Sequence, residues 1–113
     1  MIGAVSPGRI FLYRGAADMR KGFDGLAGIV RGELEADPMD GTLFVFLNRS
    51  RDMVKALYWD RDGFALWSKR LERGRFTPPQ GDGGAIGRAD LALLLEGVSV
   101  RVVRRSPRWA KST

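Results

Sequence analysis

The chain of 113 residues contains no cysteine and no histidine. These absences exclude a disulfide framework and thiolate metal ligands, and they remove the usual general base of enzymes. No apolar run approaches the roughly 18–20 residues needed to span a bilayer. The first residues lack the basic start and apolar core of a secretory signal. We therefore expect a cytoplasmic protein without membrane contact, cofactor or bound metal.

Positive charge is concentrated in two parts of the chain, which has a formal net charge of +6. Residues 49–75 carry 8 basic and 4 acidic side chains, and residues 101–113 carry 5 basic and no acidic ones. Such concentration favours a polyanionic partner, because neutralising phosphates releases condensed counterions. Charge alone is equally compatible with a solvated surface that keeps the protein soluble.

An amphipathic helix is predicted over roughly 18–35, after a first strand at 9–14. Asp18 has the chemistry of a helix N-cap residue. One apolar stripe follows it at helical spacing: Met19, Phe23, Leu26, Val30 and Leu34. Gly22, Gly25 and Gly28 weaken such a helix by up to about 1 kcal/mol each relative to alanine. Their presence predicts the close approach of another backbone.

Three closely spaced strands are predicted at 43–48, 53–59 and 64–71, with the hairpin signal AspArgAspGly at 60–63. Connections this short permit only antiparallel pairing. A short second helix at about 88–96 and a last strand at 98–103 complete the pattern. The expected fold is α+β: an antiparallel β-meander sheet with one main amphipathic helix and a short second helix packed against it. We expect residues 1–104 to form a single domain and residues 105–113 to form a basic, disordered tail.

Strand alternation divides the hairpin side chains between two faces. Leu57, Trp59, Phe64 and Leu66 form the core-facing set; Lys55 shares that side near the start of its strand, where we expect an edge. The other face carries Tyr58 and Trp67. These two aromatic side chains are candidates for partner binding, and the alternative is that the main helix or a partner subunit covers them.

Carboxylate pairs are the remaining catalytic candidates. Asp60 and Asp62 lie in a tight turn, where aspartate commonly bonds to the backbone. A two-metal nuclease or strand-transfer site needs carboxylates that converge from separate elements, and neither this pair nor Asp18 with Asp24 signals such convergence. The sequence therefore predicts that the protein is not an enzyme.

Basic side chains are predicted to gather at the end of the hairpin away from the 60–63 turn. At the start of the main helix, further cations stand where the helix dipole and free amides favour an anion. Both groups suit phosphate contact, and both can instead extend into solvent. The candidate nucleic-acid-binding residues are Arg20, Lys21, Arg49, Arg51, Lys69, Arg70, Arg73 and Arg75.

Several strings occur in a characteristic order and spacing. They are AspMetArgLysGlyPheAspGlyLeu (18–26), LeuPheValPhe (43–46), LysAlaLeuTyrTrpAspArgAspGly (55–63), LysArgLeuGluArgGlyArgPhe (69–76) and LeuLeuGluGly (94–97). Together they resemble the TnpB accessory protein of the IS66 family of insertion sequences, which is unrelated to the RNA-guided nuclease of the same name. The resemblance covers roughly residues 1–98. Ala17 and Thr77 depart from it, since the family usually has threonine and commonly tryptophan there.

The resemblance implies a bacterial mobile-element protein that supports a separate transposase, beside another accessory protein of the same element. We expect a non-catalytic accessory protein of DNA transposition that binds DNA phosphates through a basic surface. The alternative is a protein-interaction module that docks on the transposase or the other accessory subunit without direct DNA contact. Unpaired sheet edges and the glycine-lined helix are compatible with a homodimer.

Overall fold

A computed structural model describes residues 8–97 as one five-stranded sheet and two helices. The elements follow in the order β1 (Ile10–Ala16), α1 (Phe23–Gly32), β2 (Leu43–Leu47), β3 (Met53–Asp60), β4 (Gly63–Arg70), β5 (Ala85–Ile86) and α2 (Arg88–Glu96). The strand order across the sheet is β4-β3-β2-β1-β5. The predicted strand at 98–103 and the basic tail at 105–113 lie outside the described residues.

The predicted meander corresponds to β2, β3 and β4, which pair antiparallel with their neighbours in the chain. Asp60 pairs with Gly63, so only two residues form the hairpin loop. Arg61 adopts a left-handed backbone there, with φ +57°. The α+β class is therefore confirmed, and the meander is confirmed for these three strands.

The sheet as a whole is mixed rather than antiparallel, which corrects the expected topology. β1 pairs in parallel with β2, with Ile10 opposite Leu43 and Leu12 opposite Val45. β5 then pairs antiparallel with the other side of β1. Parallel neighbours need a crossover connection of about a dozen residues or more, which the segment containing α1 supplies. The rule that short connections force antiparallel pairing applies to the meander and not to this longer connection.

Both faces of the sheet are covered, and β2 is buried along its whole length. Phe44 and Phe46 pack with Leu26 and Val30 of α1 in one cluster. The other cluster joins β1, β2 and β3 to α2 and the segment before β5, through Leu12, Val45, Val54, Phe76, Leu91 and Leu94. A strand covered on two sides reads as a continuous apolar run, which explains the sequence LeuPheValPheLeu.

Helix α1 is shorter than predicted, and Asp18 is not its N-cap residue. Gly22 occupies the N-cap position and makes no side-chain cap. The Asp18 carboxylate instead accepts a hydrogen bond from the Arg20 amide at 2.9 Å, a local bond that competes with helix formation. Met19 and Leu34 fall outside the helix yet pack against the same cluster. Phe23 is 49% exposed, so the apolar stripe is buried only in part.

Within residues 8–97, no other backbone closely approaches the α1 glycines, contrary to expectation. A Cβ atom at Gly22 or Gly28 would meet no atom within 4 Å. At Gly25 it would lie 2.9 Å from Cβ and Cγ of Lys21. The missing side chain at Gly25 therefore gives room to the lysine stem.

The helices described here are too short and too polar to cross a membrane; this finding applies to residues 8–97 only.

Replacing Gly28 with alanine is expected to stabilise the fold. The site is exposed and open, so Gly28→Ala raises the free energy of unfolding by about 0.5–1 kcal/mol through helix propensity alone. Urea denaturation measures the change. Gly25→Ala is the matched control: its added methyl group displaces the Lys21 stem, so its gain is smaller. A loss of stability in Gly28→Ala would contradict this account of α1.

Candidate nucleic-acid interface

Three connecting segments meet at one end of the sheet: 17–22 after β1, 48–52 between β2 and β3, and 70–76 at the end of β4. We call this region the basic end. Because β1 and β2 are parallel, the segments that follow them leave the sheet side by side. Backbone hydrogen bonds tie the segments together: Ala17 N to Leu47 O at 2.8 Å, Leu71 N to Asp52 O at 2.8 Å and Phe76 N to Arg51 O at 2.7 Å.

The 48–52 turn is held by its own polar side chains. Asn48 donates through Nδ2 to Asp52 Oδ1 at 2.6 Å and accepts through Oδ1 from the Met53 amide at 3.0 Å. Ser50 Oγ donates to the same Asp52 oxygen at 2.9 Å. The hydrogen bonds from Asn48 and then Ser50 lower the pKa of Asp52 below its ordinary value. This network fixes the backbone from which Arg49 and Arg51 project.

Arg51 has a left-handed backbone, with φ +61°. For a residue with a side chain this conformation costs roughly 1–2 kcal/mol, and glycine would adopt it without strain. Arg51 nevertheless keeps its carbonyl in place to accept the Phe76 amide. Strain of this kind motivates a search for function at the residue.

Lys55 of β3 holds the 17–22 segment through hydrogen bonds to its backbone. Its Nζ donates to Met19 O at 2.7 Å and to Lys21 O at 2.9 Å. Lys55 lies on β3, which pairs on both sides, so the expected edge position is wrong. The sequence shows a cation among mostly apolar residues of β3, but no pattern in it indicates the carbonyl groups that Lys55 contacts.

Asp18 and Arg20 form a close ion pair on the surface of the same segment. Arg20 Nε lies 3.0 and 3.1 Å from the two carboxylate oxygens, and Nη2 lies 2.7 Å from Oδ2. The Arg20 hydrogen bonds hold the pKa of Asp18 well below its usual range. The Arg20 side chain is still 91% exposed, so it remains accessible to a ligand.

The other candidate cations differ in how far they are engaged. Arg70 lies 3.9 Å from Glu72, a long and exposed ion pair. Lys69 points to the second helix and donates through Nζ to Leu95 O at 3.0 Å, so it is the candidate most committed to the fold. Within residues 8–97 no side-chain hydrogen bond or ion pair engages the remaining ones: Lys21, Arg49, Arg51, Arg73 and Arg75.

Arg14 was not singled out from the sequence, yet it lines a groove of about 220 Å³ together with Arg49 and Arg51. Its guanidinium donates to Gly83 O at 2.9 Å and to Pro79 O at 2.8 Å. It therefore holds the 77–84 loop beside the basic end. Arg14 lies in the predicted strand at 9–14, and nothing in that sequence indicates its hydrogen bonds to the 77–84 loop.

The two aromatic candidates for partner binding face α2. Tyr58 is 6% exposed and lies in the cluster with Leu91 and Leu94. Trp67 packs against the same cluster and is only half-buried, on the edge strand β4. The main helix was expected to cover these side chains if they bind no partner; Tyr58 is covered by α2 instead. A partner-binding role for Trp67 stays a prediction.

The carboxylates considered for catalysis do not gather in one place. Asp60 and Asp62 lie at the β3–β4 loop, at the opposite end of the meander from Asp18. Within residues 8–97 no group of three or more acidic side chains is arranged to hold a metal ion.

The fold and this surface define a small α+β domain whose cations meet at one sheet end. Residues 8–105 match the family described as IS66 Orf2 like protein, TnpB_IS66. The chain belongs to this family, as the sequence strings indicated, and the family associates it with insertion-sequence transposition.

Relatives of known sequence occur in Sinorhizobium fredii. The uncharacterized protein y4hO is 44% identical over 95 residues, which cover 82% of this chain and 83% of that protein. The uncharacterized protein y4jC is 37% identical over 109 residues, which cover 95% of this chain and 93% of that protein. No solved structure matches the chain.

The lowered pKa of Asp52 predicts a specific acid sensitivity. A carboxylate whose pKa is lower in the folded state stabilises the fold above its unfolded pKa of about 3.8. That contribution disappears as the pH falls through the folded value. Asp52→Asn lacks this contribution at every pH, whereas the wild type loses it only in acid. The difference in free energy of unfolding between the two proteins therefore shrinks as the pH falls from about 6 to below 3. Urea denaturation across this range measures it, with Asp82→Asn as a control for loss of one carboxylate. A difference that is constant with pH would contradict the role of the Asn48 network.

Proposed function

We propose that this protein is a non-catalytic accessory factor of IS66 transposition that binds DNA phosphates through the basic end. The observation that carries the proposal is the parallel pairing of β1 with β2. The meander brings segments 48–52 and 70–76 to one end of the sheet, and the parallel pairing adds segment 17–22 with its cations to that end.

The state of the arginines supports phosphate binding. The side chains of Arg49, Arg51 and Arg73 are exposed and make no hydrogen bond or ion pair within the described residues. Guanidinium groups match phosphate geometry through paired N–H donors. Each phosphate they neutralise releases counterions, which supplies affinity without reading sequence. The basic end is built from turns rather than a projecting helix, and this favours backbone contact over major-groove readout.

The state of the acids at the basic end supports a non-catalytic role. Asp18 is occupied by Arg20, and Asp52 by Asn48 and Ser50. Cutting and joining DNA with metal ions requires convergent, available carboxylates. We therefore assign the chemistry to a separate transposase, which this protein supports.

Docking on the transposase is a second candidate function, and the position of β4 at an edge of the sheet formed by residues 8–97 favours it. An edge strand presents unpaired backbone groups to another chain, and Trp67 lies half-buried on it. This function predicts a complex that survives nuclease treatment of the lysate and is lost in Trp67→Ala. It is compatible with DNA binding, because the edge and the basic end are different surfaces.

Charge reversal at the 48–52 turn is expected to weaken DNA binding and its salt dependence. In Arg49→Glu/Arg51→Glu, loss of two phosphate contacts reduces the slope of log affinity against log salt by about 2. Fluorescence anisotropy with a labelled duplex, titrated with sodium chloride, measures the slope.

The matched control is Arg61→Glu/Arg88→Glu, which changes the net charge equally at the opposite end of the sheet. It should leave the slope close to that of the wild type. Equal effects of the two double variants would reduce the proposal to general charge attraction, and salt-independent binding would reject it. Cleavage of DNA by the purified protein with magnesium or manganese would contradict the non-catalytic assignment.

Arg51→Gly separates binding from stability. The change relieves the left-handed strain but gives the unfolded chain more freedom. The free energy of unfolding is therefore expected to stay constant or to rise by up to about 1 kcal/mol, while DNA affinity falls. Urea denaturation and anisotropy on the same preparation measure both. A variant that loses stability and keeps its DNA affinity would show that Arg51 serves the fold alone.

A further inference from the structure

A shallow groove of about 660 Å³ crosses the basic end between segment 17–22 and the 48–52 turn. Its floor contains Ala17, Met19 and Met53, and its rim carries Arg20 and Arg49. The groove thus combines apolar side chains with a polar rim, which carries the Asp18–Arg20 ion pair on one side and Arg49 with Asn48 and Ser50 on the other. A rod of duplex phosphates would use the rim but leave this floor in contact with water.

We propose that the groove takes an unstacked base of single-stranded DNA, with Arg49 on the adjoining phosphate. This inference rests on the proposed DNA-binding function and adds the form of DNA that the protein prefers. The protein is then expected to bind a single-stranded end or gap more tightly than an intact duplex.

The chemistry of the floor fits the face of a base. Ala17 is buried, and Met19 and Met53 are half-buried, so each offers apolar surface from a fixed position. Methionine thioethers are polarisable and adapt to flat aromatic partners. In a duplex the faces of the bases are already stacked, and extracting one costs a few kcal/mol. Single-stranded DNA avoids that cost, so the floor favours it.

The ion pair on the rim makes Arg20 a stacking surface. Asp18 engages the edge of the guanidinium through Nε and Nη2, which leaves both faces of the planar group available. Arginine planes stack on unpaired bases in this way, and base stacking on protein groups tolerates any sequence. Arg49 lacks such a partner among the described residues, so its charge remains available for phosphate.

The groove is formed before any ligand binds. Lys55 fixes the carbonyls of Met19 and Lys21, while Asn48 braces the opposite wall. A site that needs no ordering loses less free energy on binding.

Charge favours DNA over a protein as the occupant. Beyond the groove the same end of the sheet carries Arg51, Arg73 and Arg75, all exposed. A continuous polyanion whose base sits in the groove can contact them with its neighbouring phosphates. A single apolar side chain of a partner protein would use the floor alone.

Anisotropy with three labelled DNAs tests the inference: a blunt duplex, the same duplex with a short single-stranded overhang, and that overhang with abasic nucleotides. The two overhangs carry equal numbers of phosphates and differ only in their bases. Stacking of one base is worth about 1–3 kcal/mol, so we expect the normal overhang to bind roughly 5- to 150-fold more tightly than the abasic one.

The double variant Asp18→Asn/Arg20→Ala should lose this gain and also bind all three DNAs more weakly, because the Arg20 cation is lost; Met53→Ser removes no charge, so it should lose the gain and keep blunt-duplex affinity. The Asp18 and Arg20 side chains are on the surface, so the double variant is expected to fold. Met53→Ser is the second groove variant, since Met53 belongs to the floor. The control Arg73→Ala should weaken binding to all three DNAs alike.

Equal affinity for the two overhangs, with salt-dependent binding to the blunt duplex, would overturn the inference and leave the proposed function standing. No binding to any of the DNAs would reject both. A base-dependent gain that persists in both groove variants would move the site elsewhere and overturn the assignment. Loss of transposase co-purification in Asp18→Asn/Arg20→Ala, without any base-dependent gain in the wild type, would make the groove a protein-docking site instead.

Discussion

The parallel pairing of β1 with β2 brings segment 17–22 to the end of the sheet where the charged segments of the meander lie. Two parallel neighbours end at the same side of the sheet, and the hydrogen bond from Ala17 N to Leu47 O closes that side. An antiparallel β1 would have carried Arg20 and Lys21 to the end where the β3–β4 loop lies. The long connection through α1 makes the parallel arrangement possible, because the chain must return across a whole strand length. The basic end is therefore a consequence of topology.

Polar groups beneath the surface keep that end in shape. The Lys55 ammonium donates hydrogen bonds to two backbone carbonyl groups, and the Asn48 amide donates one within the 48–52 turn. Arg20 is held by Asp18, whereas Arg49 and Arg51 have no such partner among the described residues. The cations thus divide into those that build the surface and those that it presents. Counting basic residues alone cannot make this distinction, since both kinds look the same in the sequence.

Helix α1 illustrates the limit of periodic patterns. Its apolar spacing predicted the buried face correctly at Leu26 and Val30, because a helix must bury one stripe. The same spacing placed the start of the helix too early, at Asp18. The carboxylate bonds to the Arg20 amide and side chain instead of capping a helix, and α1 begins at Phe23. Local side-chain bonds compete with helix ends, so boundaries are less predictable than the helix itself.

The sequence by itself determined the meander, the α+β class, the family and the grouping of arginines in residues 49–75. Each depends on neighbours in the chain: short connections, strand alternation, or strings in a fixed order. Only the tertiary structure decided that β1 pairs in parallel with β2, that α2 covers Tyr58 and that Lys55 holds the 17–22 segment. These depend on contacts between residues far apart in the chain, such as Lys55 with Met19. A contact of that kind leaves no local pattern, because its energy is gained only after the chain has folded.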